Sequence, residues 1–244
     1  MPTSWRTIGV AACLVWIWCA SHAGSAESPA DPLDSNLKCV DLSDLEGDLP
    51  LDVVRTTQVL RQTEAWEKST WPGDGRRESV GYPTVVQNDR GPNPDGRYYL
   101  YYAHHDPNSG IGCAVAQSAE GPYVKLADAD RTRDDSRVLL CPGKPREPWH
   151  YSSPCVVWNG AEQLWFMYFH FYKNEWQAGG GHQRTALATC PDLATNDWTP
   201  WTDDEGKLVA VLPVTAERWM NSQSSYHAVQ QLPDGRWLAF LRGT

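Results

Sequence analysis

Histidine side chains recur at one end of the predicted β-strands. The chain has seven histidines, and all but His22 lie beyond residue 26. Each of the six falls at or just before the start of a strand that leaves this end, or at the end of a strand that returns to it; we call this end the mouth. Imidazole donates and accepts hydrogen bonds and titrates near neutral pH, which suits a hydroxyl-rich or anionic ligand. The six are His104, His105, His150, His170, His182 and His227.

Other polar side chains share the mouth and are predicted to bind the same ligand. They are Tyr82, Ser153, Arg184, Tyr226 and Arg242. His104 and His105 are adjacent in a strand and point to opposite faces, so at most one of them faces the ligand. No spacing shows that these side chains converge on a metal ion, and no metal site is predicted.

Carboxylates are scarce at the mouth. Asp106 follows the His104–His105 pair, and we select it as a catalytic candidate together with His227. The alternative for Asp106 is a turn cap, because it precedes Pro107.

A repeat of about 72 residues carries these side chains. Val85 and Val156 are 71 positions apart, and Val156 and Val229 are 73 apart. Each copy has a short β-branched strand, a turn, and a second strand rich in aromatic residues, which is the pattern of a β-hairpin. A third strand of small residues follows in the first two copies. The copies lie near residues 80–126, 150–202 and 222–244.

Fixed-period copies of a small antiparallel sheet predict an all-β fold, either a β-propeller or a solenoid. Four-stranded blades fit best, so a β-propeller is predicted over residues 39–244. Propellers have about 4–8 blades, whereas this sequence holds about two and a half. We therefore expect a piece of a longer protein; the alternative is that residues 39–80 complete a smaller assembly.

The first 26 residues have the features of an export signal. Arg6 is followed by an apolar run over residues 8–20, which is short for a membrane span, and then by small residues at Ser21-His22-Ala23. The alternative is an uncleaved anchor. Residues 27–38 are polar and predict a flexible leader. The mature protein is expected to be secreted or periplasmic, with no membrane contact.

Composition excludes several classes of protein. The net charge is -9, so no basic footprint for nucleic acid is present. Hydrophobic residues make up 41% and aromatic residues 11%, which excludes a disordered chain. The 13 Trp and 10 Tyr favour a ligand site with flat aromatic surfaces. Of seven cysteines, five lie beyond residue 26; they form up to two disulfides or are buried thiols, and the latter is preferred.

Several motifs resemble those of five-bladed β-propeller glycoside hydrolases, namely family 43 and its arabinanase- and invertase-like relatives. Gly81-Tyr82-Pro83-Thr84-Val85 resembles the start of their first blade, Ser153-Pro154-Cys155-Val156 the start of their second, and the segment over residues 116–123 their A-x-S-x-x-x-G-P-W motif. The resemblance covers about residues 78–244. A weaker one, at residues 192–198 and 232–242, is to sialidase-like propellers.

The resemblance implies a carbohydrate ligand but not the family's catalytic residues. Its members carry an acid at the positions held here by Tyr82, Cys155 and Tyr226-His227. No cofactor is expected, and a calcium ion is suggested by the resemblance alone. The predicted function is an exported glycoside hydrolase of oligo- or polysaccharides. The alternatives are a non-catalytic carbohydrate-binding propeller and a structural or partner-binding one. The oligomeric state is not predicted.

Overall fold

Short strands joined by turns make up nearly all of the regular structure. The computed structural model describes residues 14–18, 40–41, 58–68, 80–104, 109–130, 133–141, 150–172, 183–212 and 223–243. Its helices are a 3₁₀ turn, Ala65–Glu67, and α1, Leu126–Ala129. Within those ranges, no helix is long and apolar enough to cross a membrane. The strands are β1 (Leu14–Trp18), β2 (Val40–Asp41), β3 (Gly81–Gln87), β4 (Tyr98–Ala103), β5 (Gly110–Ala116), β6 (Val124–Lys125), β7 (Arg137–Leu140), β8 (Tyr151–Asn159), β9 (Leu164–Tyr172), β10 (Gln183–Cys190), β11 (Thr199–Pro200), β12 (Ser224–Gln231) and β13 (Trp237–Gly243).

The strands form three sheets, whose first strands, β3, β8 and β12, follow one another along the chain. The first has the order β3-β4-β5-β6, with β7 also paired to β5, and the second has the order β8-β9-β10-β11. The third joins β12 and β13 in an antiparallel hairpin and continues in parallel through β1 and β2. The predicted all-β fold, built from blade-like antiparallel sheets, is confirmed. Strand β1 lies inside the predicted export signal, and only its backbone pairing is described.

The first strands of the three sheets lie side by side. Strand β8 packs between β3 and β12. Neighbouring blades of a propeller bring their innermost strands together in this way around the axis. The first two sheets are antiparallel meanders, and β12 and β13 form an antiparallel hairpin. The starts of the first and third strands and the ends of the second strands therefore lie at the mouth.

Aspartate side chains build the hairpin turns at the opposite end. Asp95 Oδ1 accepts a hydrogen bond from the backbone N–H of Arg97 at 3.0 Å. Gly96, between them, has a φ of 70°, which a glycine adopts without steric strain. Asp234 and Gly235 repeat the arrangement in the third sheet, where Gly235 has a φ of 83°. These turns fix the hairpin registers and hence which residues reach the mouth.

The main core fills the space between the first and second sheets. Tyr99 and Tyr101 of β4 and Met167 and Phe169 of β9 are fully buried there. Their spacing of two residues places each pair on one face of its strand. The hydroxyl of Tyr101 donates a hydrogen bond to Asn196 Oδ1 at 2.8 Å, so this buried hydroxyl has a hydrogen-bond partner.

Residues 58–68 cover the other face of the first sheet. Glu67 is fully buried and forms an ion pair with Lys125, whose Nζ lies 2.5 Å from Oε1. The hydroxyl of Tyr102 donates to the same carboxylate at 2.9 Å, and the ring of Trp66 stacks on that of Tyr102. This segment is therefore attached to one blade and lies away from the axis.

No disulfide joins the described cysteines to one another. Cys113, Cys141 and Cys190 are buried, and Cys155 is partly buried. The preferred interpretation, that the cysteines are buried thiols, is therefore confirmed for Cys113, Cys141 and Cys190. Cys39 lies outside the described residues.

Candidate functional site

The same irregularity opens each of the three sheets. The first strand there has one residue more than the second strand opposite it, which is a β-bulge. Bulges redirect side chains and are frequent next to active sites. They lie between Gly81 and Thr84 of β3, between Ser152 and Cys155 of β8, and between Ser225 and Ala228 of β12.

A residue other than glycine has a left-handed backbone in each bulge. The φ angles are 55° for Tyr82, 51° for Ser153 and 49° for Tyr226. The three residues are separated by the repeat spacing, so they occupy equivalent positions. A non-glycine residue in this conformation stores strain of about 1–3 kcal/mol and is concentrated at ligand sites. The strain is therefore a property of the repeat, and it lies at the mouth.

The three bulges converge. The ring centroids of Tyr82, from the first sheet, and Tyr226, from the third, are 5.8 Å apart. Ser153 lies on β8, the strand between them. Tyr82 is 38% exposed, so part of its ring is open to a ligand. Three residues that the sequence placed at the mouth are thus brought to one site.

Two histidines from the second sheet lie beneath this aromatic pair. The Nε2 atoms of His150 and His170 are 3.2 Å apart, and both side chains are buried. The ring of His170 lies 5.0 Å from that of Tyr226. The guanidinium carbon of Arg242 also lies 5.0 Å from the Tyr226 ring, within the range of a cation–π interaction. We name the group the mouth cluster; it comprises Tyr82, His150, Ser153, His170, Tyr226 and Arg242.

His227 lies deeper, between the second and third sheets. Its Nδ1 is 3.3 Å from the Thr185 hydroxyl, which also donates a hydrogen bond to the Ser224 carbonyl at 2.7 Å. Burial lowers the pKa of His227 to about 4, outweighing the Tyr168 carbonyl, which raises it. The imidazole is therefore neutral near pH 7. In the described part of the chain, its buried Nε2 makes no hydrogen bond.

The remaining predicted residues divide into two groups. Arg184 lies near the start of β10, opposite Phe171, and is thus at the mouth. His104 is buried and follows β4, but Ala103 holds the position equivalent to His170 and Arg242. The histidine of the first copy is therefore displaced by one residue. The other predicted residues, His105, Asp106 and His182, lie outside the described residues.

Two hydroxyl-bearing residues near the site, Thr185 and Ser152, were not selected from the sequence as site residues. Thr185 joins the second and third sheets through Ser224 and His227. Ser152 precedes the bulge residue of β8, and its buried hydroxyl has no partner among the described residues. Thr185 follows the strand start that Arg184 marked, so its position was a usable signal.

A thiol replaces a carboxylate where the resemblance expects one. Cys155 Sγ accepts a hydrogen bond from the backbone N–H of Val229 at 3.2 Å. Burial raises the pKa of this thiol, so it stays uncharged near neutral pH. Cys155 therefore links the second sheet to the third. Asp89, Asp95, Glu162 and Asp234, which are described carboxylates, belong to turns at the opposite end.

The described residues do not fit a calcium ion. Among them, no group of three or more His, Cys, Asp or Glu side chains is placed to hold a metal. Calcium takes about six to eight oxygen ligands, mostly carboxylates and carbonyls. The mouth cluster instead presents imidazole, phenol and guanidinium groups.

No protein-family model matches the sequence. A curated protein, the extracellular endo-α-(1→5)-L-arabinanase of Thermotoga petrophila, is 28% identical over 120 residues. The match covers 45% of this chain and 22% of the arabinanase, so it spans about a fifth of that protein.

Similar solved structures are also glycoside hydrolases. One is a GH43 β-1,3-galactosidase with a TM-score of 0.45 and 15% identity, covering 76% of this chain and 33% of that one. Another is a family 117 glycoside hydrolase from Zobellia galactanivorans, with a TM-score of 0.44 and 14% identity, covering 64% of this chain and 46% of that one. The arabinanase and the GH43 galactosidase have names of the class that the sequence motifs resemble. The identities and coverage do not assign the chain to one of its families.

Proposed function

We propose that this chain is a glycosidase-like protein that binds a saccharide at the mouth cluster. The observation that carries the proposal is the convergence of the three strained bulge residues, Tyr82, Ser153 and Tyr226. A fold keeps several strained residues at one place when the surrounding structure fixes them, and such places are commonly ligand sites.

The cluster offers two kinds of contact to a sugar. The rings of Tyr82 and Tyr226 provide apolar faces for the C–H surface of a pyranose or furanose ring. The Ser153 hydroxyl is buried and has no partner within the described ranges, so it is available to a sugar hydroxyl. Arg242, held over Tyr226, adds donors for hydroxyl or anionic oxygen atoms.

Hydrolysis of the bound saccharide is the second part of the proposal. The similar proteins are named as an arabinanase and a galactosidase, both of which cleave glycosidic bonds. Such cleavage usually requires a proton donor and a second carboxylate. We propose Asp106 as the donor. The burial and neutral charge of His227 favour a role in positioning β12 rather than direct contact with the sugar.

Binding without hydrolysis is the competing function. It is favoured by Cys155, which makes an uncharged link between sheets where the resemblance expects an acid. The presence of Tyr82 and Tyr226-His227 at the other two acid positions favours it too. In that case, the mouth cluster would hold the saccharide and release it unchanged.

The test measures binding and cleavage separately. Purified protein is titrated calorimetrically with α-1,5-arabino-oligosaccharides and β-1,3-galacto-oligosaccharides, and release of reducing ends is followed in parallel. We expect Tyr226→Ala to weaken binding at least about tenfold, which equals about 1.4 kcal/mol. Trp201→Ala is the matched control, because Trp201 is 48% exposed and lies after β11, outside the mouth.

Each outcome selects one function. Binding with release of reducing ends supports hydrolysis, and loss of release alone in Asp106→Asn supports the assigned donor. Binding without release supports the non-catalytic function. Neither binding nor release, with any of these saccharides, overturns both and leaves a structural or partner-binding propeller.

Export is proposed together with this function. The apolar run and small residues near the N-terminus carry the proposal, and the similar arabinanase is named as extracellular. The measurement is the N-terminal sequence of the protein recovered outside the cytoplasm, which we expect to begin after residue 26.

A further inference from the structure

A second cleft opens at the end of the sheets opposite the mouth. It has a volume of about 500 Å³ and is lined by the last residues of β3, β8 and β12. Ligand pockets usually have about 300–1,000 Å³. We name it the lower cleft; the lining residues used below are Gln87, Trp158, Trp165, Gln230 and Gln231.

The lower cleft is separate from the mouth cluster. Ser153 and Trp158 lie on the same strand, five residues apart. At about 3.3 Å per residue, this separates them by roughly 17 Å, which is more than one sugar ring spans. A ligand in the lower cleft therefore leaves the mouth free.

Two tryptophans form the apolar wall of the cleft. The rings of Trp158 and Trp165 are 5.3 Å apart in an edge-on arrangement. Trp158 is half-buried and presents a partly open ring, whereas Trp165 is 3% exposed. A half-buried indole that lines a cavity is a stacking surface for a flat apolar face.

The indole N–H of Trp165 is an unused donor. It is buried and has no hydrogen-bond partner among the described residues. A Cβ atom at Gly91 would lie 3.5 Å from this nitrogen and 3.2 Å from the Pro191 carbonyl oxygen, so the backbone of Gly91 packs closely beside the N–H. Buried indole N–H groups normally find a partner, and an oxygen atom of a ligand would supply one.

The polar wall of the cleft is made of amides. Gln230 and Gln231 are adjacent in β12 and their side chains point to opposite faces, so one of the two presents its amide to the cleft. An amide offers one acceptor oxygen and two donors, which match the donor–acceptor character of a hydroxyl. The side-chain N–H of Gln87 donates a hydrogen bond to the Gly96 carbonyl, and its side-chain oxygen can still accept one. The charges at the rim, Asp89 and Arg90, lie 3.5 Å apart and offset one another. This set of groups favours a neutral, hydroxyl-bearing ligand.

We infer that the lower cleft is a second saccharide-binding site, which takes a neutral sugar unit stacked on Trp158 with one of its oxygens accepting the Trp165 N–H. The site lies outside the mouth cluster, so it goes beyond the proposed function. It would allow one chain to hold two segments of a glycan at opposite ends of the strands.

The experiment observes the two sites independently. Protein labelled with ¹⁵N is titrated with short α-1,5-arabino-oligosaccharides and β-1,3-galacto-oligosaccharides, and the indole N–H signals are followed by NMR. We expect the Trp165 signal, assigned by its loss in Trp165→Phe, to shift with the saccharide. Trp158→Ala should weaken this event at least about tenfold, and Tyr226→Ala should leave it unchanged. Gln231→Ala, which removes only an amide, is the second test if Trp158→Ala does not fold.

The results distinguish this inference from the proposed function. A Trp165 signal that shifts in Tyr226→Ala supports the lower cleft even if the mouth binds nothing. A signal that stays unmoved at saturating saccharide, while calorimetry still reports binding at the mouth, overturns the inference and leaves the proposed function intact. A shift that Trp158→Ala and Gln231→Ala leave unchanged also overturns it.

Discussion

Replacing Ser153 with glycine is expected to make the protein more stable and its mouth less able to bind. Ser153 has a φ of 51° and a buried hydroxyl that has no partner in the described part of the chain. A left-handed backbone costs an L-residue about 1–2 kcal/mol, and an unsatisfied buried polar group about 1–3 kcal/mol. The greater freedom of glycine in the unfolded chain offsets about 0.5–1 kcal/mol.

The net expectation for Ser153→Gly is a gain of about 1–4 kcal/mol in the free energy of unfolding, measured in urea. For a domain of this size, each kcal/mol raises Tm by about 2–4 °C. Affinity for the saccharide should fall at least about tenfold, because the bulge loses both its hydroxyl and its fixed geometry. Ser153→Ala separates the two effects, since it removes the hydroxyl and keeps the strained backbone.

Gln163→Gly provides the matched control. Gln163 also has a positive φ, 56°, but lies in the hairpin turn at the opposite end. Its replacement should raise stability slightly and leave saccharide binding unchanged. The reasoning is refuted if Ser153→Gly lowers stability while Gln163→Gly raises it, because the bulge would then not be strained.

Three further predictions concern ionisable and reactive groups. Lys125→Met leaves the Glu67 carboxylate buried without its cation, and we expect it to lower the free energy of unfolding by about 3–5 kcal/mol in urea; a loss under about 1 kcal/mol would contradict a desolvated ion pair. His227 has a folded pKa of about 4, below the ordinary 6.5, so the unfolded chain binds more protons between these values. Stability should therefore fall as pH drops from about 6.5 to about 4, by up to about 3 kcal/mol, and His227→Gln should flatten this part of the profile. Burial raises the pKa of the Cys155 thiol, and it raises the pKa of the Cys190 thiol to about 11. A Cys39→Ser variant should therefore react with Ellman's reagent at these two positions only after unfolding; fast reaction of the native protein would show that the thiols are accessible.

The repeat could be predicted because residues that are neighbours in the sequence specify its strands and turns. Alternating aromatic and β-branched residues specify short strands, and Asp-Gly pairs specify the turns between them. The spacing between Val85, Val156 and Val229 therefore located the three hairpins and the residues at their starts. Tyr82, Ser153 and Tyr226 were found in this way, since each lies three residues before one of these valines.

In the first copy, the histidine is offset by one residue from the equivalent position in the other two. The sequence placed His104 and His105, like His170 and Arg242, at the end of a second strand. In the structure, Ala103 pairs across the bulge at the equivalent position. All three copies carry the bulge, so it does not cause this offset; the histidine of the first copy stands one residue later along its second strand. The bulges themselves have no local sequence signal, because Tyr, Ser and Tyr stand where glycine would have been one.

The sequence by itself determined the strand content, the turns and the set of side chains available at one end of the strands, because these depend on neighbours a few residues away. Only the tertiary structure decided that His150 and His170 meet, that Tyr82 contacts Tyr226 from another sheet, and that Cys155 links two sheets. Such contacts join residues 20 to more than 100 positions apart, and they follow from how the sheets pack and where each bulge shifts the register. The lower cleft also exists only in the tertiary structure, since its walls come from the ends of three different first strands.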